Sequence, residues 1–136
     1  MKKMLMLTAL LIVALLSTRT YAQSQTPSLR NSNWKLFVPD LNDTITLHIK
    51  TDSSYVTNGT GEAVVRSVCK VSADTLSFTD YDGQYACPNA TGKYKINLND
   101  DASVLTLILI EDPCDGRANA INKIKWMRAA LPAAMK

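Results

Sequence analysis

The chain has 136 residues, fifteen Lys and Arg against twelve Asp and Glu, three cysteines and a single histidine. This length suits one domain with its own core, needing neither metal nor heavy disulfide stapling. Three of the basic residues, Lys2, Lys3 and Arg19, fall in the first twenty-two positions. Outside that segment acids and bases balance, so the charge gives no footing for nucleic-acid binding.

In chain order, Lys2 and Lys3 open a basic start, Leu5 to Leu16 is an almost unbroken apolar run, and Thr20, Tyr21 and Ala22 form a small-residue exit. This predicts a cleaved signal peptide over 1–22 and a secreted or periplasmic protein without stable membrane insertion, since a spanning helix needs about 20 apolar residues. No cysteine follows the predicted cut directly, which leaves no site for lipid attachment. The mature chain begins at Gln23. Positions 23–32 and 131–136 carry no pattern and read as tails around a domain over 33–130.

Within that domain the periodicity is two nearly throughout, predicting strands at 33–38, 43–50, 53–57, 63–71, 74–79, 92–98, 103–110 and 123–129. The second is cleanest: Ile45, Leu47 and Ile49 share one face against Thr44, Thr46 and His48. Turn chemistry fills the gaps, as LND, TDS, NGTG, SAD, DYDG and NDD. The seventh strand is apolar on both faces, as for a strand with one side in a core and the other under a loop or helix. Arg117 to Ile124 predicts a short helix before the last strand. It serves either as a lid over a barrel mouth or as cover for the outer side of strand seven, and the second is preferred here.

Eight short strands in simple succession close most economically as an all-β, antiparallel up-and-down barrel, which has no unpaired edges. An open two-sheet sandwich is the competing arrangement. In the barrel, the loops after strands five and seven emerge at the same end, so Cys87 and Cys114 are expected to form a disulfide in an oxidising compartment. It closes about 27 residues and stabilises by ~3 kcal/mol in the chain-entropy model. Cys69, toward the other rim, reads as a buried free thiol. Strand one begins where strand eight ends, which brings Trp34 toward Trp126 and Arg128 as a structural seal of that end.

With these residues placed, the chain resembles the lipocalin-like group of the calycins, through NSNWKL around Trp34 and the late KWMR ending at Arg128. The glycine usual two positions before the tryptophan is absent, and there is no room for the helix that packs on larger lipocalins. It is more similar to small exported lipocalin-like domains of gram-negative bacteria, through ACPNATGKY, EDPCDGR and KWMR. The resemblance implies a barrel and says little about ligand.

Candidate chemistry is sparse. His48 is the only histidine, which excludes a histidine metal cluster, and its place on the polar face of strand two marks it as solvent-facing. No GxSxG, HExxH or phosphate-cradling loop is present. Asp80, Asp82, Glu111, Asp112 and Asp115 gather at one rim, but DYDG lacks the spaced oxygen ligands of a calcium loop, so they read as turn formers and no metal or other cofactor is expected. Arg117 reads first as a clamp into this acidic rim and second as a ligand contact. The sequons at Asn42, Asn58 and Asn89 carry little information unless the host glycosylates exported proteins.

These features predict a monomeric binding protein rather than an enzyme. The preferred reading is a carrier that holds or sequesters a small apolar ligand, with Leu47, Phe78, Tyr94 and Leu107 lining the barrel. The alternative is an inhibitor of an exported peptidase, binding through disulfide-pinned rim loops with Tyr81, Tyr85, Pro88 and Arg117.

Overall fold

A computed structural model describes residues 28–130; the expected signal peptide and the C-terminal segment 131–136 lie outside the described residues. Eight antiparallel strands close into one barrel in chain order: β1 (Ser32–Val38), β2 (Asp43–Ile49), β3 (Ser53–Thr57), β4 (Ala63–Ser72), β5 (Thr75–Asp82), β6 (Thr91–Leu98), β7 (Val104–Glu111) and β8 (Lys125–Arg128). Closure is made by β1 against β8, with Trp34 opposite Arg128 and Lys35 opposite Met127. The sandwich alternative is thereby excluded. The helix α1 spans Asp115–Ile121, two residues earlier than the sequence pattern placed it, because Cys114 caps it by accepting the Arg117 N–H at 3.4 Å.

The alternation sorts side chains as expected. Trp34, Leu47, Ile49, Cys69, Leu76, Phe78, Tyr94, Leu105 and Leu107 point inward and are buried, while Asn33, Lys35, Thr46 and His48 lie on the outer face. β5 runs three residues further than predicted, so the aspartates and tyrosine of DYDG belong to the strand: Asp80 points inward and Tyr81 outward. The chain turns only at Gly83, whose φ of +119° suits glycine, and where a Cβ would meet the Val64 carbonyl oxygen at 2.3 Å.

The two ends differ. At the end where β1 starts, Leu29 is buried in the core although periodicity left it in the N-terminal tail. Ser32 Oγ donates to the Leu29 carbonyl and accepts from Trp34 Nε1 at 2.7 Å. The Arg128 guanidinium lies 4.5 Å from the Trp34 ring, and its Nε donates to the Ala102 carbonyl at 2.8 Å. Trp34 and Arg128 therefore seal this end, as expected. Trp126 is buried further in and faces the interior cavity instead.

Leu29 is the plug of the sealed end. Leu29→Ala is expected to cost about 2–4 kcal/mol, seen as an earlier urea midpoint with an unchanged slope.

Candidate functional site

The opposite end carries the loops after β1, β3 and β5 and the helix α1, and there the barrel is not filled. A cavity of about 900 Å³ opens under these loops. Its walls include Leu36, Ile45, Leu47, Val56 and Phe78 from the strands, Phe37, Leu41 and Tyr85 from the rim, and Ile121 and Ile124 from α1 and the segment after it. The small side chains of Ser54 and Ser67 in the lining leave space on the β3 and β4 walls.

Of the four residues expected to line the barrel, Leu47 and Phe78 do so. Tyr94 and Leu107 are fully buried in the packed part of the core and lie outside the cavity lining. The reason is height: Leu107 is bridged to Asn122, and Tyr94 is turned toward Asp112, so both stand behind α1 and the disulfide loop.

α1 packs against β7 and also roofs the cavity as a lid. Gly116, Asn119, Ala120 and Ile121 border the cavity, whereas Ile110 on the outer face of β7 stays 54% exposed. The lid is fastened at both ends. After its last turn, Asn122 Oδ1 accepts the Leu109 N–H at 2.9 Å and the Lys123 N–H donates to the Leu107 carbonyl at 2.8 Å. Before its first turn, Cys114 is bonded to Cys87, with Cα atoms 6.2 Å apart.

Beside the disulfide lies a buried ionic cluster. Arg117 donates in a fork to Asp112, from Nε to Oδ2 at 2.7 Å and from Nη2 to Oδ1 at 2.8 Å, and Nη2 also donates to the Ala90 carbonyl at 2.9 Å. Its Nη1 stands 2.9 Å from Asp80 Oδ2, an ion pair without hydrogen-bond alignment. The side chains are 8%, 0% and 2% exposed for Arg117, Asp112 and Asp80. Asp80 further accepts from Ser67 Oγ at 2.7 Å and the Cys87 N–H at 2.9 Å; Asp112 accepts from Tyr94 Oη and, at 2.8 Å, from the Cys114 N–H. Each carboxylate thus also anchors the backbone of one disulfide cysteine.

The neighbouring sequence is shaped around this cluster. A Cβ on Gly92 would meet Asp112 Oδ2 at 2.2 Å, so the glycine of GKY admits the carboxylate. Burial works against charge on Asp112, but the bonds from Arg117, Tyr94 and Cys114 outweigh it and hold the carboxyl below its ordinary range. Burial, followed by the adjacent Asp112, pushes the Tyr94 phenol up. Burial opposes the Arg117 charge, yet the two aspartates raise its pKa.

Asp80 and Asp112 are therefore buried ion-pair partners rather than the turn formers read from sequence, although Asp112 does also cap the Cys114 N–H. The other rim acids are peripheral: Asp82 pairs with Arg66 at 2.9 Å, and Glu111 pairs with Lys93. Among the described residues no group of three or more His, Cys, Asp or Glu is placed to hold a metal ion.

The rim residues do not converge. Tyr85 borders the mouth, whereas Tyr81 lies on the outer face of β5; both are 58% exposed. Pro88 is exposed and bridges to Asp80. Cys69 is buried and free, and burial raises its thiol to about 11. His48 lies on the outer face of β2 and is half-buried there: Nδ1 is 3.0 Å from Asn33 Oδ1, Nε2 is 3.1 Å from Thr57 Oγ1, and the ring stacks on Tyr55 at 4.3 Å between centroids. It borders a polar groove of about 390 Å³ on the outer face. No protein-family model matches the chain, and no curated protein or solved structure does.

Three expectations follow. Arg117→Met leaves Asp80 and Asp112 buried without their cation and should cost roughly 3–5 kcal/mol at pH 7 in urea unfolding. Because the folded pKa of Asp112 is lowered, its contribution is present above the unfolded value and is lost as pH falls through the folded one. Asp112→Asn should therefore show a smaller stability loss between pH 7 and pH 3 than the parent protein. At His48, burial and then Lys50 lower the pKa, so folding binds fewer protons than the unfolded chain and this residue disfavours folding as pH drops below 6.5. An NMR titration of the imidazole should give a midpoint below 6.5.

Proposed function

We propose that the protein is an exported, non-enzymatic carrier of lipocalin-like type that holds one small, largely apolar ligand inside the barrel. The observation that carries this reading is the cavity of about 900 Å³, in the range of small-molecule sites, walled by aliphatic and aromatic side chains and roofed by α1. A barrel of eight strands is just wide enough to be filled by side chains or to hold one small ligand. Here the sealed end is filled and the other end is not. The disulfide and the Arg117 cluster keep the roof and the rim in fixed relation, so the site is formed before the ligand arrives. The disulfide also suits an oxidising compartment, and no helix among the described residues is long and apolar enough to cross a membrane. Peptidase inhibition has less support, since Tyr81 and Tyr85 lie on different faces and present no common anchor.

Ile45→Trp would place an indole in the cavity. Native mass spectrometry of the protein from its own host should find a small molecule at near-unit stoichiometry that leaves on denaturation and is missing from the Trp variant. Equal recovery from both proteins, or none from either, would overturn the carrier reading.

A further inference from the structure

We infer that the cavity selects a cationic amphiphile, an apolar body bearing an amine or quaternary ammonium group, over an anionic one of the same shape. This rests on the cavity being the ligand site and adds the charge of the ligand. The ionisable side chains in the lining are Asp40, Asp43, Asp80 and Arg117. Arg117 is the one cation that a carboxylate ligand would seek there, and its fork is already closed on Asp112 while Nη1 faces Asp80. The buried trio holds two carboxylates and one guanidinium, so the wall beside the cavity carries a formal excess of one negative charge.

The mouth adds to that excess. Asp40 is exposed in the loop after β1, Asp43 begins β2, and neither pairs with a cation among the described residues. Asp43 is occupied by backbone donors, the N–H groups of Thr44 and Gly59, which fix its position without neutralising it. Phe37, Phe78, Tyr85 and Trp126 also border the cavity, and aromatic faces attract cations and repel anions. A second feature at the inner wall points to a ligand: Trp126 is buried in the lining, and its indole N–H has no acceptor among the described residues. A ligand with an ether, hydroxyl or carbonyl oxygen toward its apolar end would supply one.

The test uses three probes of one chain length below their micelle concentrations, dodecyltrimethylammonium, dodecanoate and dodecanol, titrated into the mature protein by Trp fluorescence, with Ile45→Trp as the filled-cavity control by calorimetry. The ammonium should bind about tenfold or more tightly than the carboxylate, and added salt or Asp40→Asn should narrow that gap. Equal affinities, or tighter binding of dodecanoate, would overturn the charge preference while leaving the carrier reading intact. Failure of all three probes, or binding unchanged in the filled variant, would remove the cavity as a ligand site and this inference with it.

Discussion

The buried ion cluster of Arg117 with Asp80 and Asp112 is the constraint on which the open end depends. It joins β5, the loop before β6, and the segment that runs from the end of β7 into the first turn of α1. A buried ion pair is weak evidence for stability, since desolvation offsets much of the attraction. Its value here is geometric: a bidentate fork admits one orientation, and each carboxylate also grips a backbone N–H of one disulfide cysteine. The covalent link and the ionic link therefore hold the same pair of loops, and together they fix the height of the helical roof.

Below that roof the barrel divides into two regimes. Around the sealed end Trp34, Ile49, Leu76 and Leu105 are fully buried, and Tyr94 and Leu107 are packed as tightly behind α1 and the disulfide loop. Toward the mouth, Leu36, Ile45 and Val56 are only partly buried, because they face the cavity instead of each other. Exposed Phe37, Leu41 and Tyr85 continue that apolar surface to the rim. Such an arrangement leaves apolar area unburied inside the barrel and at its rim.

Much of the fold was legible because its signals are local. Period-two alternation marks each strand, and strand order with loop parity is enough to pair Cys87 with Cys114 and to bring Trp34 under Arg128. What escaped is set by tertiary contact. Asp80 looks like a turn residue in DYDG, yet the β4–β5 ladder continues through it, with Asp80 opposite Ser67 and Asp82 opposite Arg66. Leu29 belongs to no periodic segment, and only the hydrogen bonds through Ser32 show why it is buried. Tyr94 and Leu107 alternate like lining residues, but the depth of a cavity depends on where the lid sits, which no strand pattern encodes. The EDPCDGR segment held the signal for the cluster: a carboxylate, a cysteine and an arginine on one short turn, with the glycine of GKY supplying the room opposite.

If apolar molecules enter the barrel beneath α1, methyl-resolved NMR with a neutral apolar probe such as benzene will register them at the cavity walls. The methyl signals of Leu47, Val56, Ile121 and Ile124 should shift saturably while those of Leu105 and Leu107, buried outside the cavity lining, stay in place. Shifts confined to outer-face methyls such as Ile110 and Val68, or no saturable shifts at all, would contradict such entry.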